Sequence, residues 1–332
     1  MIRNLSRRQF VKSSLLASAA LPLSLRAKAE PTAAAAGAAP ANSERVELPK
    51  GRIGNLEFSR LMMGGNLIAG WAHSRDLQYV STLMRRYNTP QKIRETLELG
   101  EQHGITAINT WVMDDNSQIF EHWKNGGKMQ WVSQVRLPDI SASATDYSQI
   151  DKAIEQGAVA VHLTGDTAER ILDDAKFDKL ASAVQYIRSR KRVAGVAAHD
   201  LRVIVECEKR KFDVDFYQKT FHPSDYFTGP KPGDPDRVAK NDNSWCSDPQ
   251  AVIDVFSRIN KPWIAFKILA AGAVPPRAGF PFAVNGGADF ILVGMFDWQV
   301  DDNVKLAQRV FRVASGAGSK RTRPWHGGAV AT

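Results

Sequence analysis

Two ionisable side chains interrupt otherwise apolar runs of the sequence. Lys267 lies in Trp-Ile-Ala-Phe-Lys-Ile-Leu, and His162 lies in Val-Ala-Val-His-Leu. Burial lowers the pKa of an ammonium group, which makes Lys267 a candidate base, proton donor or imine-forming nucleophile. An imidazole at the end of a buried strand can donate to a substrate oxygen or accept its proton. The structural alternatives are a lysine paired with Asp200 or Asp297, and a core histidine whose hydrogen bonds are satisfied.

Three histidines follow consecutive predicted strands and could therefore lie close together. They are His162, His199 and His222. Together they could ligate one metal ion, although no His-x-x-x-His or Cys-x-x-Cys spacing accompanies them. The alternative is acid–base chemistry in which His199 acts with His162 and Lys267.

Eight apolar, β-branched segments, each followed by an amphipathic stretch, must position these side chains. The predicted strands are Leu61–Asn66, Thr106–Trp111, Gln130–Arg136, Ala158–Thr164, Val193–His199, Phe212–Phe221, Trp263–Ala270 and Phe290–Phe296. Thr89-Pro90 and Asp248-Pro249 each place a capping residue before a proline that begins a helix. The alternation predicts an α/β fold, a closed (βα)8 TIM barrel with its site at the carboxyl ends of the strands, and a doubly wound sheet is the alternative.

A segment before the first predicted strand and two long loops after predicted strands also indicate how the barrel is built. Residues 46–58 read as a hairpin that plugs the amino-terminal end of the barrel. The connections over 67–88 and 223–248 are much longer than is usual after a strand. They carry Trp71, His73 and Trp245, which predicts either walls for an extended, sugar-like ligand or aromatic pins that hold the loops to the rim.

The first residues have the features of an export signal. Arg7-Arg8 precedes Phe10 and Lys12, and an apolar run then leads to Ala27-Lys28-Ala29. This pattern predicts a twin-arginine signal peptide over 1–29, recognised by the twin-arginine export machinery, and a periplasmic or otherwise exported protein. The apolar run is too short to cross a bilayer, so no stable membrane span is expected. We expect a flexible Ala-rich leader over 30–45, a single barrel domain over 46–314 and a flexible basic tail over 315–332.

The formal charge of +9 does not indicate a nucleic-acid partner. Six of the excess positive charges lie in the first 29 residues and three lie in 319–323, which leaves the predicted barrel electrically balanced. A small-molecule or carbohydrate substrate is expected instead. Cys207 and Cys246 are the two cysteines, too few for a disulfide scaffold, and whether they pair is left open.

Several of these segments resemble the aldo/keto reductases, barrel enzymes that pass a hydride between NADP(H) and a carbonyl. The segment from Gly54 to Asn66 is similar to the family's opening turn and first strand, and Tyr-Gln-Lys-Thr-Phe-His-Pro over 217–223 is similar to its strand 6 motif. By this resemblance Gln218 holds the nicotinamide amide of NADP or NAD. Phe266 would stack on the nicotinamide, and Gln299 to Asn303 would contact the adenine.

The resemblance also places the catalytic positions, and most of them carry other residues here. Asn109 stands at the aspartate position, Asp114 falls near the tyrosine position, and Gln134-Val135-Arg136 ends the strand that usually ends in lysine, whereas His162 matches. The resemblance implies an oxidoreductase in which Lys267 or Asp114 handles the proton. The alternative is a non-redox lyase, isomerase or hydrolase acting on a carbohydrate by acid–base or metal-assisted chemistry.

Overall fold

The structure is a computed structural model that describes residues 47–74, 77–112, 116–236, 242–328 and 330. The predicted signal peptide and leader lie outside the described residues, and so does Asp114.

Eight parallel strands form a closed barrel, which confirms the predicted fold. The barrel strands are β3 (Leu61–Gly64), β4 (Ala107–Trp111), β5 (Gln130–Val135), β6 (Ala160–Leu163), β7 (Val193–Ala198), β8 (Phe216–Thr220), β9 (Trp263–Phe266) and β10 (Phe290–Val293). They pair in sequence order from β3 to β10, and β10 pairs with β3 to close the barrel.

Helices surround the barrel and pack against the outward-facing side chains of its strands. They are α1 (Tyr79–Tyr87), α2 (Pro90–Gln102), α3 (Ser117–Lys124), α4 (Ser148–Glu155), α5 (Gly165–Asp173), α6 (Phe177–Ser189), α7 (Leu201–Lys209), α8 (Pro249–Phe256), α9 (Pro276–Asn285) and α10 (Asp297–Ser315). The two predicted caps are present. Thr89 Oγ1 accepts a hydrogen bond from Lys92 N at 3.2 Å, and a carboxylate oxygen of Asp248 accepts one from Ala251 N at 2.9 Å.

A hairpin closes the amino-terminal end of the barrel. Its strands, β1 (Lys50–Ile53) and β2 (Leu56–Ser59), pair antiparallel. Ile53 and Phe58 are buried and belong to the same apolar cluster as inward-facing residues of the barrel strands. The hairpin therefore plugs the barrel where the sequence predicts that it does.

Several strands end earlier than predicted. The strand predicted over Trp263–Ala270 stops at Phe266, because Lys267 adopts a left-handed backbone conformation with φ of 56° that cannot continue a strand. The strand predicted from Phe212 begins at Phe216, after a turn that follows α7. Side chains expected within strands therefore stand on the first residues beyond them.

The basic residues after α10 pack against the barrel instead of forming the free tail that was expected. The side chains of Arg321 and Arg323 are 4% and 2% exposed, and both pair with the fully buried carboxylate of Asp289, at 2.7 and 3.4 Å. Arg60 lies in the same cluster and is fully buried. Backbone carbonyls accept hydrogen bonds from many of the guanidinium donors. The guanidinium carbons of Arg60 and Arg321 lie 4.6 and 3.5 Å from the centre of the Trp325 ring. One buried carboxylate therefore holds the segment that follows α10 against the bottom of the barrel.

Cys207 and Cys246 are both free thiols in the structure, and both are buried. No helix among the described residues has the length and apolar character needed to cross a membrane.

We predict that Asp289→Ala destabilises the fold by about 3 to 5 kcal/mol, because the substitution leaves buried arginines without their counter-ion. The matched control is Asp301→Ala, since Asp301 makes an exposed pair with Lys305 at 2.6 Å and its loss should cost less than about 1 kcal/mol. Urea unfolding of the three proteins measures both effects. Equal losses in the two variants would contradict the proposed role of Asp289.

Candidate active site

Lys267 stands at the carboxyl end of β9, at the mouth of the barrel. Its ammonium nitrogen lies 3.5 Å from the centre of the Trp245 ring, which the long loop after β8 contributes. Desolvation lowers the pKa of Lys267 to about 7, while the carboxylates of Asp242 and Glu169 oppose that shift. Contact with the face of Trp245 also favours the cation. The amine can therefore gain and lose a proton near neutral pH.

A histidine–aspartate pair from the two long loops contacts this lysine. His73 Nδ1 lies 3.0 Å from Asp242 Oδ1, and His73 Nε2 lies 3.3 Å from Lys267 Nζ. Asn66 Nδ2 also approaches Nε2, at 3.2 Å. Asp242 can only accept a hydrogen bond when ionised, so the contact favours a proton on Nδ1 and leaves Nε2 as the acceptor that faces Lys267.

His199 follows β7 and forms a second histidine–carboxylate pair. Its Nδ1 lies 3.2 Å from Glu169 Oε1, and the same carboxylate accepts the backbone N–H groups of His199 and Asp200 at 2.6 and 2.9 Å. Desolvation lowers the pKa of His199, and the nearby charge of Lys267 lowers it further. A β-carbon on Gly165 would lie 2.7 Å from His199 Nδ1, so this close approach requires glycine. His199 is therefore neutral near pH 7, with Nε2 as the ring nitrogen left to face a ligand.

A polar network lies below the mouth, inside the barrel. Asn109 Nδ2 donates to Gln218 Oε1 at 2.9 Å and lies 3.0 Å from His162 Nε2, while Gln134 Nε2 donates to Asn109 Oδ1 at 2.7 Å. His162 Nδ1 lies 3.2 Å from Leu163 O, so both ring nitrogens have partners. His162 is fully buried, and desolvation lowers its pKa to about 4. Asn109 and His162 thus support the floor of the site from within the barrel.

The three histidines considered as metal ligands do not converge. His222 Nδ1 lies 2.8 Å from Pro223 O, and its Nε2 accepts the backbone N–H of Trp245 at 2.9 Å. Both ring nitrogens of His162 have partners inside the barrel, so of these three histidines only His199 stands at the mouth. In the described part of the chain, no three His, Cys, Asp or Glu residues are grouped as a metal ion would require.

Two of the predicted catalytic residues, Lys267 and His199, both stand at the mouth, and the charge of Lys267 lowers the pKa of His199. The carboxylates whose charges act on Lys267 are those of Asp242 and Glu169. Asp200 forms an ion pair with Arg202, and Asp297 forms one with Lys92.

His73, Asp242 and Glu169 are not among the residues predicted from the sequence to take part in catalysis. His73 and Asp242 stand 169 positions apart, and Glu169 lies within α5, so no local pattern connects them to Lys267.

The positions that resemble nicotinamide contacts do not form one open surface. Gln218 is 1% exposed, and its amide oxygen is bound by Asn109. Gln299 Oε1 accepts the backbone N–H of Phe296 at 3.0 Å, and Asn303 is buried against Met295 Sδ at 4.0 Å. Phe266 lies near the mouth, with its ring 5.6 Å from that of His199. The residues present therefore do not fit a bound dinucleotide in the way the resemblance implies.

Comparison with known proteins shows similarity of fold. No family model matches the chain, and no curated protein matches its sequence. A Pseudomonas aeruginosa protein provisionally assigned to the aldo-keto reductases is 15% identical with a TM-score of 0.53, over 80% of this chain and 96% of its own. The N-acetylneuraminic acid synthetase of Leptospira borgpetersenii is 9% identical with a TM-score of 0.43, over 82% of this chain and 92% of its own. Fold and site together define a (βα)8 barrel with a lysine and two histidine–carboxylate pairs at its mouth.

We predict that Lys267→Met makes the fold more stable at pH 6, by a few kcal/mol, because it removes a desolvated ammonium group. The pKa of Lys267 is lowered from 10.5 to about 7, so the unfolded chain binds one more proton between these values. The wild-type protein therefore gains stability as pH rises through this window, and the gap between the two proteins should shrink. Urea unfolding at pH 6 and at pH 10 measures it, and an equal gap at both values would contradict the desolvation of Lys267.

Proposed function

We propose that the chain is an enzyme that transfers protons at a carbon next to the carbonyl of a sugar-type substrate, as an isomerase or lyase does. The observation that carries this proposal is the contact between the desolvated Lys267 amine and Nε2 of His73, whose other nitrogen is held by Asp242. A lysine with a pKa near 7 is neutral often enough to act as a base, and its conjugate acid is strong enough to return the proton.

In the proposed reaction the neutral amine of Lys267 takes a proton from the carbon beside the carbonyl. The electron pair of the broken C–H bond forms a C=C bond, and the carbonyl π electrons move to oxygen. His199 Nε2 accepts the proton of the neighbouring hydroxyl and transfers it to that oxygen, so the enediolate carries its negative charge on the neighbouring oxygen, where the new carbonyl forms. Return of the Lys267 proton to the other carbon completes an isomerisation in which no atom or electron is gained or lost.

The two carboxylates have distinct roles in this scheme. Asp242 holds His73 Nδ1, so that Nε2 can accept a hydrogen bond from Lys267 and fix the position of its amine. Glu169 orients His199 through Nδ1 and balances positive charge as Lys267 becomes protonated. The aromatic face of Trp245 contacts Lys267 and excludes water from one side of the ammonium group.

Export belongs to the same proposal. We propose that residues 1–29 direct the folded enzyme through the twin-arginine machinery to the periplasm. Proton transfer by side chains suits that compartment, because it requires no supply of nicotinamide cofactor.

We predict that Lys267→Met lowers proton transfer by at least about a hundredfold, since it removes the base. The assay is deuterium exchange in D2O, followed by NMR as loss of the C–H signal beside the carbonyl in a panel of aldoses and ketoses. Lys305→Met is the matched control, because Lys305 lies on α10 and is well exposed. Exchange at the wild-type rate in Lys267→Met would refute the proposal.

The rate of exchange should rise with pH and level off above about 7, because the neutral form of Lys267 is the reactive one. The rate is low at low pH because a protonated Lys267 amine cannot accept a proton from the substrate. The pH profile of kcat/KM measures this dependence. A rate that falls as pH rises through 7 would instead assign Lys267 as a proton donor.

Hydride transfer is the second candidate, and the fold shared with the Pseudomonas aeruginosa protein and the position of Phe266 favour it. It requires Gln218 to leave its contact with Asn109 and bind a nicotinamide amide. Native mass spectrometry of the protein purified without added cofactor distinguishes the candidates. A mass excess of one NADP or NAD molecule would replace proton transfer with hydride transfer.

A further inference from the structure

An exposed aromatic groove lies at the rim of the barrel, outside the cluster around Lys267. It has a volume of about 250 Å³ and is formed by residues from α1 and from the start of α10. The lining residues are Val80, Leu83, Met84, Tyr87, Phe296 and Trp298. We call these six residues the aromatic platform. Trp298 is 66% exposed and Leu83 is 59% exposed, which is unusual for side chains of this size.

The rings of the platform are held in fixed positions. Trp298 stacks on Phe296 with an angle of 10° between their planes and 6.0 Å between their centres. Tyr87 meets the edge of Phe296 at 5.2 Å, and its hydroxyl group donates to Asp297 Oδ1 at 2.6 Å. The platform therefore presents flat aromatic faces to solvent on a supported base.

Charged groups border these rings on one side. Lys92 Nζ lies 3.0 Å from Asp297 Oδ2 and 2.8 Å from Glu95 Oε2. These carboxylate and ammonium groups are partly exposed and can exchange hydrogen bonds with hydroxyl groups. A sugar ring has an apolar face of C–H groups and an edge of hydroxyl groups, so an aromatic surface with a charged border matches both.

The order of the strands in the barrel places the platform next to the candidate active site. Phe296 follows β10, which pairs with β9, and β9 leads directly into Lys267. Gln299 and Asn303 are the polar residues close to the platform in sequence that could bind a nucleobase. Both already have partners within the protein, because Gln299 caps α10 and Asn303 is buried against Met295. The chemistry of the site favours a sugar ring over adenine.

We infer that the aromatic platform binds a sugar unit of an extended glycan whose reacting unit lies at Lys267. This inference rests on the proposed function, since it names the substrate class of the same mouth. The substrate is then an oligosaccharide, and a single sugar would contact only one of the two regions.

Isothermal titration calorimetry tests the inference without relying on turnover. Cellohexaose, xylohexaose and maltohexaose are titrated into Lys267→Met, and then into Lys267→Met with Trp298→Ala. We expect at least one hexasaccharide to bind the single variant, and its Kd to rise about tenfold or more in the double variant. Lys267→Met with Phe227→Ala is the matched control, because Phe227 is a fully exposed ring of the loop after β8 that lies outside the platform. Its Kd should not change.

Several outcomes would overturn the inference. One is that no hexasaccharide binds, and another is that Kd is the same in both double variants. Binding of NADP that is lost with Trp298→Ala would assign the platform to a dinucleotide. A change from dimer to monomer on sedimentation of Trp298→Ala would assign it to a contact between copies of the chain. Because the titrations use a protein without Lys267, their failure leaves the deuterium-exchange test of proton transfer intact.

Discussion

Removal of the Lys267 ammonium group from water is the constraint on which the site depends. A charged amine at this position is costly, and the protein compensates with the face of Trp245, the nitrogen of His73 and two nearby carboxylates. Both long loops are needed for this environment, because one supplies His73 and the other supplies Trp245 and Asp242. The two long loops at the mouth therefore determine the electrostatic environment of the Lys267 ammonium group.

The barrel interior provides a rigid base for these groups. The amide of Asn109 contacts Gln134, His162 and Gln218, and these four residues lie on four different strands. A buried polar group without partners is expensive, so the network stabilises one arrangement of the strands. The side chains at positions that resemble reductase contacts thus bind one another inside the barrel, and a shared fold does not by itself determine the chemistry.

The two ends of the barrel have different roles, since the amino-terminal end stabilises the fold and the carboxyl end holds the candidate site. At the bottom, the hairpin and the Asp289 cluster close the fold, and the buried charges of the cluster pair with one another. At the mouth, Lys267 adopts a left-handed backbone, a conformation that costs about 1 kcal/mol or more for a residue with a side chain. Such strain is typical of functional positions, where the surrounding structure compensates for it. We infer that the carboxyl end of the barrel carries the activity.

Local pattern was enough to determine the eight strands, the helix caps at Thr89 and Asp248, and Lys267 and His199 as candidate site residues. Periodicity, capping and a charge within an apolar run are properties of neighbouring residues, and the sequence displays them directly. Only the tertiary structure brought Asp242 to His73, turned Gln218 inward and buried the arginines that follow α10. Each of these depends on closing the barrel and on loops that return across it, and no short segment of sequence records which distant partner a side chain will meet.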